Sequence, residues 1–218
     1  MTDSWNSSNN IELFKKYVGD TYPDLDAALL AKKDEARYIA EYLKLSNNST
    51  VIDLGPGVGF IASYLVDKVK HLHCVDISKS FLDKSEEILG HNPNVSFQLI
   101  KHGNLSMFSN IDAIYCVAVF IHFNLYDIAI YLEEMHKALS PNGKVLIDFY
   151  DAEYLEPTDP VFQRHKLLYK LDRQAIVTNI NFNSKQAVIN ICEHVGFDVE
   201  IKREGKQPIL LLTKGTRE

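Results

Sequence analysis

Val51-Ile52-Asp53-Leu54-Gly55-Pro56-Gly57-Val58-Gly59-Phe60-Ile61-Ala62 is the stretch on which the fold turns. Apolar residues and a carboxylate lead into glycines at alternate positions, after which Phe60, Ile61, Leu65 and Val66 recur at helical spacing. The pattern predicts a strand, a tight loop and a helix. Glycine is needed where backbone takes positive φ or lies against a ligand, and the N–H groups that open a helix favour electron-rich groups. The loop is therefore expected to bind a ligand; the alternative is a glycine loop that only turns the chain.

A second acidic signal follows in His71-Leu72-His73-Cys74-Val75-Asp76-Ile77-Ser78, which reads as a strand ending in a carboxylate. Asp76 lies 21 positions after Gly55, about the interval at which a dinucleotide-type fold presents an acid to ribose hydroxyls. The glycines are spaced G-x-G-x-G rather than the G-x-G-x-x-G of nicotinamide and flavin proteins, which disfavours a nucleotide-dependent oxidoreductase. In these segments the chain resembles the class I S-adenosylmethionine-dependent methyltransferases. Their first motif is similar to Asp53-Leu54-Gly55-Pro56-Gly57-Val58-Gly59, and their second-strand acid corresponds to Asp76. A third piece, Leu139-Ser140-Pro141-Asn142-Gly143-Lys144-Val145-Leu146-Ile147, is similar to that family's turn and fifth strand.

The resemblance runs over roughly residues 35–213. It implies an α/β protein with a Rossmann-like, doubly wound, mostly parallel seven-stranded sheet, a C-terminal antiparallel hairpin and N-terminal helices. It also implies S-adenosylmethionine as cofactor, held by Asp53, Gly55, Pro56, Gly57 and Gly59 in the loop and by Asp76 and Ile77 after the second strand. Leu105 and Val117, after the third and fourth strands, complete the expected set. Where the family commonly has an acid that accepts from the adenine amine, this chain has Asn104, whose carboxamide oxygen accepts without charge. The other reading of Gly103-Asn104 is an ordinary turn.

At 218 residues, 46% hydrophobic and 24% charged, the chain fits one globular domain. That domain is expected over 1–218, with 1–48 as a helical cap and 49–218 as a cofactor-binding core. A net charge of −6 without a dense Lys/Arg run argues against nucleic-acid and anionic-membrane partners. Cys74, Cys116 and Cys192 sit among apolar residues without a C-x-x-C pair, so buried free thiols and a reducing cytoplasm are expected. The start of the chain is polar, and no run reaches about 18 apolar residues, so neither export nor membrane insertion is expected.

Taken in order, Ile11 to Val18 suits a short helix and Leu25 to Leu43 a longer one. Strands are predicted at His71–Val75, Val95–Ile100, Ile111–Val119 and Lys144–Phe149, separated by helices at Phe60–Val69, Phe81–Leu89 and Leu125–Leu139. Ser78 is the expected N-cap of the middle helix and Gly90 its stop. From Asp151 to Asn183 the pattern lapses, and this stretch is a candidate lid over 151–183. Ser184–Val195 reads as the last helix, and Phe197–Lys202 with Pro208–Thr213 as the hairpin. Lys202, Arg203, Lys206 and Lys214 around it are taken to protect a sheet edge.

Methyl transfer from a sulfonium needs alignment more than covalent help, so a base is required only for a hydroxyl or carbon-acid acceptor. The sequence offers His122 for that role, with Tyr17 from the N-terminal segment beside it, as in several small-molecule members of the family. The other reading of His122, between Ile121 and Phe123, is a packed buried residue. Trp5, Tyr22, Tyr150 and Tyr169 are candidate aromatic walls for a small-metabolite acceptor. The absence of a carboxylate cluster predicts no metal. Cys116-Val117-Ala118-Val119 stands where nucleic-acid amino-methyltransferases carry an Asn- or Asp-Pro-Pro-aromatic tetrapeptide. A cofactor-binding scaffold without turnover is the remaining alternative.

Overall fold

The computed structural model describes residues 25–171 and 180–215. Trp5, Tyr17, Tyr22 and the helix expected over Ile11–Val18 lie outside them. The chain divides into two compact units, 25–102 with 111–115, and 103–110 with 116–215.

In the first unit, helix α1 (Leu25–Leu43) precedes strand β1 (Thr50–Leu54), helix α2 (Phe60–Leu65), strand β2 (His71–Asp76), helix α3 (Lys79–Leu89), strand β3 (Val95–Leu99) and strand β4 (Ile111–Cys116). β1 lies between β2 and β4, and β3 flanks β2, all parallel. A parallel strand covered on both faces needs a continuous apolar run, and Val51, Ile52 and Leu54 are accordingly buried. Ala28 on α1, Val58, Phe60 on α2 and Phe81 on α3 form one apolar cluster, with Leu29 and Ile88 packed against it. Burial of each large side chain there contributes about 1.5–3 kcal/mol.

Two element ends differ from expectation and one agrees. The helix expected to Val69 stops at Leu65 and tightens into a 3₁₀ turn, Val66–Lys68, a common way to close a helix end. Gly90 stops α3 as expected, in right-handed conformation, and a Cβ there would meet the Glu86 carbonyl oxygen at 2.6 Å, so glycine suits the position. β4 ends at Cys116, not Val119. Ala118 takes φ 59, which turns the chain out of the strand although the apolar run continues.

In the second unit, helix α4 (Leu125–Ala138) is followed by β5 (Leu139–Asp148), β6 (Tyr150–Asp151), helix α5 (Pro160–Leu171), β7 (Phe182–Asn183), helix α6 (Lys185–Val195), β8 (Phe197–Arg203) and β9 (Ile209–Lys214). α4 opens on a capping box. The Asn124 side-chain oxygen accepts from Tyr126 N at 2.8 Å and Asp127 N at 3.1 Å, and the Asp127 carboxylate accepts from Asn124 N at 3.3 Å. Ser184 and Gly196 (φ 113) bound α6, and β9 pairs antiparallel with both β5 and β8. The main sheet has seven strands in the order β3-β2-β1-β4-β5-β9-β8. The expected α/β sheet, mostly parallel with an antiparallel end, is the fold of the chain.

Two basic residues have more definite work than edge protection. Lys214 Nζ donates to His136 O at 2.7 Å and Leu139 O at 2.8 Å, satisfying carbonyls left open at the end of α4. Lys206 pairs with Asp159 and stands 5.5 Å from the Tyr150 ring centroid. The described residues of 151–183 are also more regular than expected, while 172–179 lie outside them. β6 and β7 pair in parallel, with Tyr150 opposite Phe182 and Asp151 opposite Asn183. All three cysteines are buried and stand outside any disulfide. Among the described residues no helix is long and apolar enough to cross a membrane.

Candidate active site

The glycine loop sits at the carboxyl end of β1, and its glycines serve different ends. Gly55 N–H donates to Val75 O at 2.8 Å, tying the loop to β2. Gly57 takes φ 57, and a Cβ built on it meets nothing within 4 Å, so its backbone borders open space that a ligand can fill. Gly59, at φ 87, is the N-cap of α2, and a Cβ there would meet Ser85 Oγ at 2.7 Å and Leu89 Cδ1 at 3.1 Å. It is a packing glycine. Gly59→Ala is expected to cost about 1–3 kcal/mol through left-handed strain and overpacking against α3, measured by urea unfolding. A wild-type unfolding midpoint would contradict this.

Two carboxyls flank the loop. Asp53 is 3% exposed and its Oδ2 accepts from the Tyr115 hydroxyl at 2.6 Å. Burial raises its pKa to about 7, against the lowering effect of the Tyr115 bond, and the nearby Asp76 adds to the rise. Asp76 ends β2, and its Oδ1 accepts from Ser78 N at 2.8 Å. Burial raises it too to about 7, opposed by the Ser78 and Ile77 amides. Pro56 and Ile77 are half-buried beside these groups. Tyr115 was not singled out in the sequence; only the β1–β4 register, which sets it opposite Asp53, reveals its place.

In the second unit, Asn104 is exposed, and its side-chain oxygen accepts from Ser106 N at 3.0 Å and Ser106 Oγ at 2.7 Å. Both lone pairs are engaged in a local turn. Leu105 is buried, with its N–H 3.3 Å from Glu134 Oε2. Val117 is half-buried in the turn after β4. Ala118, in left-handed conformation, donates its N–H to Asp148 Oδ1 at 2.7 Å, and Asp148 Oδ2 accepts from Gln207 Nε2 at 2.7 Å. The buried Asp148 thus holds a strained residue in place.

His122 is half-buried on a 3₁₀ turn, Phe120–His122, that the end of the 151–183 stretch clamps. Asn181 N donates to Ile121 O at 2.7 Å, Asn181 Nδ2 to His122 O at 2.8 Å, and Asn183 Nδ2 to Phe123 O at 2.9 Å. Asn181 and Asn183 escaped the sequence reading, although Asn-Phe-Asn places two amides on one side of an extended segment. Tyr150 stacks on Phe182 at 5.5 Å between centroids. Tyr154 and Tyr169 are 45% and 51% exposed, so these two aromatic residues stand on the surface rather than in an enclosed pocket.

Residues 51–143, which contain the loop, Asp76 and the turn after β4, match a family described as methyltransferase domain. Over that stretch, less than half of its length, the chain is similar to methyltransferase domains. It is similar to the phosphoethanolamine N-methyltransferase of Plasmodium falciparum, at 26% identity over 82% of this chain and 68% of that protein. The wheat protein of the same name (Triticum aestivum) is 24% identical over 80% of this chain, which spans only 36% of its length. A ribosomal RNA small subunit methyltransferase A of Lysinibacillus sphaericus is 31% identical over 39% of this chain and 29% of its own. Among solved structures, the magnesium protoporphyrin IX methyltransferase of Synechocystis PCC 6803 with bound S-adenosylhomocysteine superposes with a TM-score of 0.70 over 98% of this chain and 97% of that one, at 14% identity. At that identity the likeness speaks for the fold alone.

Proposed function

We propose that this chain is an S-adenosylmethionine-dependent methyltransferase that acts on a small metabolite, at an oxygen, nitrogen or carbon nucleophile. The observation that carries the proposal is a glycine loop that follows Asp53 on β1 and whose Gly57 backbone borders open space, with Asp76 acting on Asp53 from the end of β2. Bound there, S-adenosylmethionine supplies a methyl group on a cationic sulfur with a neutral thioether to leave. Asp76 accepts the ribose hydroxyls, and Gly55, Pro56, Gly57 and Ile77 give backbone and close fit. Asn104 shapes the loop after β3 by its bonds to Ser106 rather than by reading adenine. Holding the reacting atoms in line can supply about 7–11 kcal/mol, so positioning carries most of the acceleration.

On the acceptor side we assign His122 as the group that takes a proton from a hydroxyl or carbon acid, with Tyr17 assisting. Trp5, Tyr22 and Tyr150 are the proposed aromatic contacts, while the exposure of Tyr169 weighs against it. An amine acceptor, the class that the names of the Plasmodium and wheat relatives suggest, needs only to be bound neutral. The ribosomal RNA relatives raise RNA as a rival acceptor, and the net charge of −6 gives a polyanion no electrostatic attraction. Transfer of labelled methyl into a panel of amines including phosphoethanolamine, phenols, carboxylic acids and ribosomal RNA tests the proposal. Incorporation into RNA alone would overturn it.

A further inference from the structure

Tyr115 is a fully buried phenol in the middle of β4, where phenylalanine would serve packing as well, and its hydroxyl is given to Asp53. Strand register places Asp53 between Cys74 on β2 and Tyr115 on β4, so the three side chains share one level of one sheet face. Asp76, two residues beyond Cys74, is the other carboxyl that acts on Asp53. Cys74 and Tyr115 stay neutral, because burial pushes both well above their ordinary range. No cation among the described residues pairs with Asp53 or Asp76 or stands among the charges that act on them. A buried carboxyl and a half-buried one, with no cation beside them among the described residues, have two ways to avoid the cost of bare charge: hold a proton, or admit a positively charged ligand.

We propose that cofactor loading is proton-coupled: the free site keeps a proton on its Asp53–Asp76 pair, releases it as the cationic ligand enters, and Tyr115 sets where in pH this exchange occurs. The proposal rests on the cofactor assignment above. The balance is simple: carboxyl plus cationic ligand gives carboxylate paired with ligand, and the proton goes to solvent. The elevation of both carboxyls to about 7 puts the exchange in the physiological range. Tyr115 acts as a positioning residue. Its hydroxyl favours the Asp53 anion, so removing it leaves the carboxyl protonated to higher pH.

Calorimetric titration of the full chain with S-adenosylhomocysteine, whose ammonium group is its cation, in buffers of different ionisation enthalpy reads the proton count directly. Wild type is expected to release about half a proton or more per ligand at pH 6.5 and none above about pH 9. Tyr115→Phe is expected to release more than wild type at pH 8–8.5, and Asp53→Asn less than wild type at pH 6.5. A tyrosine that served packing alone would change affinity without moving the proton count. Binding with no buffer-dependent enthalpy between pH 6 and 8 overturns this inference and leaves the cofactor assignment standing. No binding of either S-adenosylmethionine or S-adenosylhomocysteine at any pH overturns that assignment itself.

Discussion

Asp76→Ala is expected to weaken S-adenosylmethionine binding by about thirty- to a thousandfold, because the ribose hydroxyls lose a charged acceptor and are left buried without a partner. Stability should move the other way. The Asp76 pKa rises from 3.8 in the unfolded chain to about 7 in the free folded one, so the folded state binds the proton more tightly. The contribution of this group is therefore most favourable below about pH 4 and is lost as pH rises to 7, leaving the ionised carboxyl a burden at pH 8. Alanine removes that burden, so the unliganded variant should melt at or above the wild-type temperature at pH 8 while failing to bind. Loss of affinity with a lowered melting temperature would mean that the substitution had damaged the loop instead. Wild-type affinity in calorimetry would remove Asp76 from the site.

That trade, stability given up at a carboxyl that needs a ligand, is what a site is expected to look like before it is filled. It also separates what the sequence can convey from what it cannot. Gly55, Gly57 and Gly59 were legible because the requirement is local: strand, turn and helix lie within twelve consecutive residues, and the only question is which backbone angles they allow. Asp76 was legible through one interval in the chain. Tyr115 was not, since its meaning comes from a hydrogen bond across 62 positions that exists only once β1 and β4 are in register. Asp148, Asn181 and Lys214 are of the same kind, each answering a backbone group on a distant segment.

The missed boundary of β4 has a different cause. Cys116-Val117-Ala118-Val119 is apolar throughout, and periodicity carries no mark of a residue at φ 59 when that residue is alanine rather than glycine. Its conformation is held by the Asp148 carboxylate, so the information sits on β5. β6 and β7 were invisible because two residues are too short for a repeat of two. Asn104 was legible as a turn or as an adenine acceptor, and the Ser106 bonds favour the turn.

His122→Ala is the substitution expected to have the largest effect on turnover. If the acceptor is a hydroxyl or a carbon acid, the proton has to leave in the transition state, and losing the group that takes it should cut kcat by about 10²–10⁴-fold with cofactor affinity unchanged. If it is an amine, bound neutral, the loss should fall well short of that range. The clamp supplies an internal control. Asn181 holds the carbonyl of His122, not its ring, so Asn181→Ala keeps the imidazole but frees the turn that aims it. Its expected signature is a smaller fall in kcat that the same pH dependence survives, whereas His122→Ala abolishes any rise of kcat with pH at saturating cofactor. Equal losses in both variants with unchanged pH profiles would make His122 a packing residue of the turn and leave positioning as the whole of the mechanism.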